Sequence, residues 1–267
     1  MNFASYQLWS QFEPALGWED THCQMQRGWR WTQPATPRER QTSPVIATIW
    51  QKVGTLAQQG VYEFHQDPFL LKHPRGVDRV ADRLYLYYEV APVRQRVMRI
   101  LQQYQAEPWL VDRDVLVLNR GDEPIPDPIE IQVAAEDRFH LFAAFDCLVR
   151  ETDGQIHVID FKTGQADFDR RQAYVYLLAI SYLYPDRAAV ASFYNLETNT
   201  RSALITATPT ELAQIAAKLA KIARLHQQQL QDYRAQPDCF DRLFPPHPGN
   251  HCCYCQFNYL CTYATSN

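Results

Sequence analysis

Two apolar runs, Phe139–Arg150 and Gln155–Lys162, are separated by little more than Thr152-Asp153-Gly154. An Asp-Gly pair between strand-like runs predicts a β-hairpin, because glycine takes the positive φ that the tight turn needs. The second run, "QIHVIDFK", ends on Asp160 and Lys162, charges that a buried strand must pair or neutralise. A two-residue loop pairs Thr152 with Gln155 and puts Asp146 and Asp160 on opposite faces. A three-residue loop, with Gly154 left-handed in a bulge, pairs Glu151 with Gln155 and sets Asp146 directly opposite Asp160. Lys162 then shares their face, which continues through Leu148, Val158 and Ile156, so the charges gather at one end. Facing carboxylates with Cβ atoms about 4.5–5.5 Å apart repel each other. A divalent cation neutralises them, and oxygen ligands favour Mg2+ or Mn2+. In the other register Asp160 and Lys162 form a solvated ion pair. Spacing alone leaves both open.

The rest of the chain reads as mixed α/β. Helices are expected over Tyr6–Leu16, from Ser43-Pro44 to about His65, across Val77–Gln105 with proline-marked breaks, and over Arg170–Tyr184. An irregular segment rich in arginine and tryptophan follows the first of them. Strands are expected at Trp109–Leu118, Ile129–Ala134, Ala188–Leu196 and Arg201–Thr206, besides the two hairpin runs. Thr208-Pro209-Thr210-Glu211 is a capping box with proline at the first helical position, and it starts a long helix that ends before Pro237. No internal repeat and no clean two-domain boundary shows. The tail from Pro245 reads as a loop.

At 267 residues the chain can bury a substantial core. Its apolar stretches stop short of the ~18 residues that a membrane span needs, so no membrane role is expected. The start at Met1-Asn2-Phe3 lacks the pattern of a signal peptide, which places the chain in the cytoplasm. A net charge of −4 argues against coating nucleic acid but allows a local basic groove. Arg27, Arg30, Arg38 and Arg40 interleave with Trp29 and Trp31, a mixture that suits single strands through phosphate contact and base stacking, or else a solvated loop with two packed tryptophans.

Seven cysteines in a cytosolic chain argue for metal rather than disulfides. Five of them lie in the last thirty residues, and "HCCYCQFNYLC" sets Cys252 and Cys255 in a C-x-x-C, with Cys261 after five more residues. That spacing chelates, because thiolates three apart can reach one metal around a turn. Cys253 points elsewhere. Thiolate spacing does not separate Zn2+ from an iron–sulfur cluster.

In "RRQAYVYLLAI", Gln172 and Tyr176 are four apart and share a helical face. The order of Asp146, then Asp160-Phe161-Lys162, then a helix with Q-x-x-x-Y, then the cysteine tail, resembles the RecB-like branch of the PD-(D/E)XK nuclease superfamily. It is most similar there to CRISPR-associated RecB-like exonucleases and helicase-linked nuclease domains. The resemblance covers Phe139–Tyr176 and Phe244–Cys261. It implies a restriction-endonuclease-like α/β core, a central mixed sheet flanked by helices, with the cysteine tail closing onto the N-terminal region. One nuclease domain over residues 1–267 is expected: a helical part at 1–106, the sheet core at 107–207, and the long helix and tail at 208–267.

The resemblance also implies roles. Asp146, Asp160 and the Phe161 backbone carbonyl hold Mg2+ or Mn2+. Lys162 orients the attacking water or stabilises phosphoryl charge, and Gln172 and Tyr176 position nucleic acid or brace the site. Cys252, Cys255, Cys261 and one upstream cysteine, Cys23 with Cys239 as the rival, hold a structural 4Fe–4S cluster. Two positions depart from the family pattern: Ala143 stands for a glycine, and Gln58, after Gly54-Thr55, stands for a histidine. Gln58 offers a carbonyl oxygen as a poorer metal ligand, with Glu63 and His65 as substitutes. The leading expectation is a metal-dependent DNA nuclease acting as an exonuclease on single-stranded ends, with helicase or CRISPR and repair proteins as partners. The alternatives are a catalytically weak, DNA-binding nuclease-like subunit and a zinc-stabilised scaffold.

Overall fold

In chain order the elements are β1 (Phe3–Ser5), α1 (Tyr6–Phe12), α2 (Gln24–Thr32), α3 (Val45–Gln66), α4 (Phe69–Lys72), α5 (Gly76–Arg83) and α6 (Ala91–Ala106). They continue with β2 (Asp114–Leu118), β3 (Ile129–Ala134), β4 (Asp137–Phe142), β5 (Cys147–Arg150), β6 (Ile156–Lys162) and α7 (Arg170–Leu183). The last are β7 (Ala189–Asn195), β8 (Thr200–Arg201), α8 (Pro209–Ala235) and α9 (Phe240–Leu243). This is a computed structural model that describes residues 2–33, 45–124, 126–134, 137–164 and 168–264. Ser43-Pro44, Arg38 and Arg40 lie outside the described residues. The fold is α/β, mixed sheets flanked by helices, consistent with the restriction-endonuclease-like class.

The chain forms two compact units. One comprises residues 46–127 and 143–212. Its sheet runs β2-β5-β6-β7-β8, antiparallel except for the parallel pair β6/β7. Inside-facing residues such as Cys147, Val149, Ile159, Phe161 and Tyr194 pack with Val53, Ala57, Val61 and Phe64 of α3 and Val97, Ile100 and Leu101 of α6. On α7, Ala173, Val175, Tyr176, Leu177, Leu178, Ala179 and Ile180 are buried, and the helix lies against β6 and β7. Burial of this kind contributes about 25 cal/mol per Å2 and holds the site strand between two helical layers.

The other unit comprises residues 1–45, 128–142 and 213–267. Its small sheet runs β1-β4-β3, with β1 parallel and β3 antiparallel to β4. Here α2 replaces the expected irregular segment after α1. Its Gly28 sits so close to the C-terminal aromatics that an added Cβ would lie 2.5 Å from the Phe244 ring and 2.8 Å from Phe240. Trp29 stacks on Phe240 with ring centroids 4.1 Å apart. Tertiary packing, rather than propensity, makes this stretch a helix.

Several expected elements change length. Trp109–Leu118 shortens to β2, Arg201–Thr206 to β8 plus an isolated bridge between Ala191 and Ile205, and the first helix stops at Phe12. The capping box of α8 forms as expected, with Thr208 N donating to Glu211 Oε2 (2.7 Å) and Glu211 N to Thr208 Oγ1 (3.2 Å). The main difference is Phe139–Arg150, expected as one strand, which splits into β4 and β5 in different sheets. Between them Asn119 takes up the freed carbonyls: its side-chain Nδ2 donates to Phe145 O (2.5 Å) and its backbone N to Asp146 O (2.9 Å). The break therefore leaves these backbone groups satisfied.

Candidate active site

The hairpin adopts the three-residue loop. Glu151 N donates to Gln155 O (2.9 Å), Gly154 N donates to Glu151 O (2.8 Å), and Gly154 has φ +85°. Cys147 therefore stands opposite Ile159, Leu148 opposite Val158, Val149 opposite His157 and Arg150 opposite Ile156. The ladder ends at Cys147 and Ile159, and Asp146, the residue before β5, reaches the end of β6 through its side chain, whose Oδ2 accepts from Phe161 N. The turn chemistry of Thr152–Gly154 thus positions both carboxylates.

Each carboxylate is held by hydrogen bonds. Asp146 Oδ2 accepts from Phe161 N (2.7 Å) and Oδ1 from Gln58 Nε2 (3.0 Å). Burial, and then the negative charge of Asp160, push the Asp146 carboxyl up to about 7; the Phe161 N–H, Lys162 and Gln58 pull against that rise. Asp160 is 3 % exposed, and its Oδ1 accepts from Tyr176 Oη (2.7 Å) and Gln172 Nε2 (2.8 Å). Lys162 Nζ forms an ion pair with Asp160 Oδ2 at 2.5 Å.

The helix supplies the brace. The Asp169 side chain caps α7 by accepting from Arg171 N, and one turn apart on the same face stand Gln172 and Tyr176. Gln172 Oε1 accepts from Lys162 Nζ (2.9 Å), while its Nε2 reaches both Asp160 and Tyr176 Oη (2.6 Å). Burial first, then the two aspartates, raise Tyr176 well above the ordinary phenol value, so it stays a donor.

Two desolvated carboxylates, one of them neutralised by Lys162, can offer oxygens to a divalent cation. Among the described residues no group of three or more His, Cys, Asp or Glu is placed to hold a metal ion. Mg2+ is commonly held by one or two carboxylates, with water and substrate phosphates completing its shell.

Gln58 is at the site but not as a carbonyl ligand. Its Nε2 donates to Asp146 and to Asn119 O (3.1 Å), and its Oε1 lies against Gly121, where an added Cβ would come within 2.7 Å. The two suggested substitutes are engaged elsewhere: Glu63 pairs with Arg83 and Arg120, and His65 Nε2 meets Tyr104 Oη at 2.6 Å. Asn119 is the residue that sequence reasoning missed. Its only signal was a polar residue closing the apolar run "VLVLN".

Within the arginine–tryptophan segment, the expectation needs correcting at Arg27. Arg27 is 3 % exposed, donates to Gln229 Oε1 (2.8 Å), and lies 3.9 Å over the Phe12 ring. Burial lowers its guanidinium to about 10. Trp29 packs on Phe240, and Trp31 packs on Phe3 and donates from Nε1 to Gln11 Oε1 (3.0 Å). Arg30 stays exposed. Trp29 is half-buried against Phe240, whereas Trp31 stays exposed although its ring meets Phe3.

In the same unit, Cys23, Cys252, Cys255 and Cys261 line one small cavity with Met25, Trp29 and Phe257. Burial raises the Cys255 thiol, and the nearby charges of Cys23, Cys252 and Cys261 add to that rise. Gly249 N donates to Cys252 Sγ (3.4 Å). Cys239 is outside this lining and is held by Gln236 Oε1 and Arg242. Cys253 is exposed and donates to Asn250 O (2.8 Å). Four thiols thus line one cavity, one of them receiving a backbone N–H, although among the described residues no three of them are placed as a metal-holding group.

A mixed sheet between helical layers, carrying this cluster at the end of β6, defines the class as a restriction-endonuclease-like α/β fold. The family model of the PD-(D/E)XK nuclease superfamily matches residues 27–262, and the chain belongs to that superfamily. Membership implies metal-dependent nuclease activity, generally with Mg2+ or Mn2+, and DNA as substrate. No curated protein matches the sequence. A solved structure described as "Crystal structure of SSO0001" is 15 % identical, covers 80 % of this chain and 86 % of that chain, and has a TM-score of 0.32. No helix among the described residues is long and apolar enough to cross a membrane.

Proposed function

We propose that this protein is a deoxyribonuclease of the RecB-like branch that cleaves single-stranded DNA from its ends, with Asp146 and Asp160 holding a divalent cation. The observation that supports this reading is the Glu151/Gln155 register, which brings Asp146 close enough to Asp160 for their charges to interact, with Lys162 beside Asp160. When bound, the cation supplies Lewis-acid polarisation of the phosphate and acidifies water. Asp146, oriented by Phe161 N and Gln58, and Asp160, oriented by Tyr176 and Gln172, provide the ligand oxygens, with the Phe161 carbonyl as a further one. Lys162 stabilises charge developing on the phosphoryl oxygens, and Gln172 holds its ammonium in place. Gln58 serves as a donor to Asp146.

The four-cysteine cavity supports a 4Fe–4S centre on Cys23, Cys252, Cys255 and Cys261, with Zn2+ as the other occupant that chemistry allows. The family match spans both units, which supports reading residues 1–267 as one nuclease domain. The test is incubation of purified protein with end-labelled single- and double-stranded DNA, with Mn2+ and with chelator. Mn2+-dependent shortening of single strands from an end supports the reading. Internal cuts remove the exonuclease assignment, and a chain that binds DNA without cutting it favours a DNA-binding subunit instead.

A further inference from the structure

Trp50 stands on α3, in the same unit as the carboxylates, and is 49 % exposed. A lone exposed aromatic means little by itself. What distinguishes Trp50 is its support. The Arg96 guanidinium lies 3.7 Å from the ring centroid, and it is itself clamped by Glu197, Nε to Oε1 at 2.6 Å and Nη2 to Oε2 at 2.8 Å. A planar fork fixed at both ends gives the ring a rigid backing while half of the residue stays open to solvent.

Its position is equally specific. Trp50, Gly54 and Gln58 recur every four residues along one side of α3. Eight residues at 1.5 Å each put Trp50 about 12 Å along the helix from Gln58, which donates to Asp146. Between them Gly54 raises no side chain; the nearest atom to an added Cβ there is Thr163 Oγ1 at 3.5 Å. Thr163 directly follows Lys162, and a Cβ added to Gly164 would lie 3.6 Å from Arg96 Nη2. Both the helix and the exit of the site strand therefore lead from the carboxylates to the backed ring.

We propose that Trp50 is a stacking platform for an unpaired nucleobase of the substrate strand. The inference rests on the nuclease reading above. At about 3.4 Å per stacked nucleotide, the base it holds lies within about four nucleotides of the scissile phosphate. An aromatic face accepts any base, so the platform selects single strands rather than sequences.

The test measures binding of labelled oligothymidylate and of a blunt duplex to the Asp160→Ala protein, with and without Trp50→Ala or Trp50→Phe. Trp50→Ala should weaken single-strand binding about tenfold and leave duplex binding and the melting curve unchanged, while Trp50→Phe retains most of the affinity. In the otherwise unaltered chain with Mn2+, Trp50→Ala should raise KM for single strands by a similar factor. As a measurement that needs no alanine variant, oligothymidylate should quench tryptophan fluorescence, and Trp50→Phe should remove most of that quenching. Unchanged single-strand affinity, or an equal loss on duplex, overturns the proposal. If affinity is unchanged while Mn2+-dependent cleavage persists, the platform falls and the nuclease reading stands. A chain that neither binds nor cuts DNA removes both.

Discussion

The carboxylate centre and the cysteine centre are built by opposite means. Asp146, Asp160, Lys162, Gln172 and Tyr176 lie within one hairpin and the helix after it, and a single turn sets their register. The cysteine cavity joins Cys23 to Cys252, Cys255 and Cys261 across most of the chain. Its closure relies on α2 packing Gly28 and Trp29 onto Phe240 and Phe244, and on His247 Nδ1 meeting His22 O at 2.8 Å. A site made by local turn chemistry concentrates like charge and depends on a ligand for its function. A site made by long-range closure depends on packing for its existence.

The largest effect should separate the two by function. With Asp160 as the proposed cation ligand, Asp160→Ala should lower Mn2+-dependent cleavage about a thousandfold, the equivalent of several kcal/mol of lost transition-state stabilisation. Metal content at the cysteines should stay unchanged, since the substitution lies in the other unit. Cleavage at the unaltered rate would remove Asp160 from the metal site.

Next, with the proposed metal in place, Cys252→Ser, Cys255→Ser or Cys261→Ser should each lower the melting temperature by several degrees, because a structural metal held there would contribute directly to folding. Cys23→Ser should do the same, whereas Cys239→Ser and Cys253→Ser should not. Anaerobically purified protein should be brown, absorb near ~400 nm and contain iron. A colourless preparation with bound zinc would assign Zn2+ instead, and a metal-free one would leave aromatic packing as the whole closure.

Acid should then probe the cysteine-bearing unit by itself. His226 is buried among Phe3, Phe12 and Trp31, both ring nitrogens lack partners among the described residues, and burial followed by the Arg27 charge lowers it to about 4. Its folded value lies below the unfolded 6.5, so the unfolded chain binds the extra proton between them. The stability from neutral His226 is present above about pH 6.5 and is lost as pH falls towards 4, by about 3 kcal/mol. His226→Phe should flatten this part of the pH–stability curve measured by urea unfolding; an unchanged slope would show that His226 does not carry it.

The smallest effect concerns the turn. Gly154→Val forces a β-branched residue to φ +85° and should cost about 1–2 kcal/mol. Cleavage should fall with it, because both carboxylates shift while the cysteine centre is untouched. Unimpaired cleavage in a destabilised protein would show that the turn sets stability alone.

How much was legible follows from these differences. Register was readable because side chains alternate with period two and Gly154 selects the bulged loop. Gln172 and Tyr176 were readable from helical spacing, and α8 from its capping box. Arg27 was misread because arginine-with-tryptophan text is the same whether the helix faces solvent or the C-terminal aromatics. Gln58 was placed correctly near the site, but whether its amide presents N or O depends on Asn119 and Gly121, residues about sixty positions away.

The sequence by itself determined most elements and the order of the site: a hairpin carrying two aspartates, a lysine two residues on, a glutamine–tyrosine helix, and a cysteine-rich tail. These follow from turn chemistry and periodicity, which act over a few residues. Only the tertiary structure decided that Phe139–Arg150 divides between two sheets, that Arg27 is buried, that Cys23 rather than Cys239 lines the cysteine cavity, and that Gln58 donates to Asp146. Each of those depends on which distant surfaces exclude water from a group. Desolvation is a property of packed neighbours, and no local pattern in the chain encodes it.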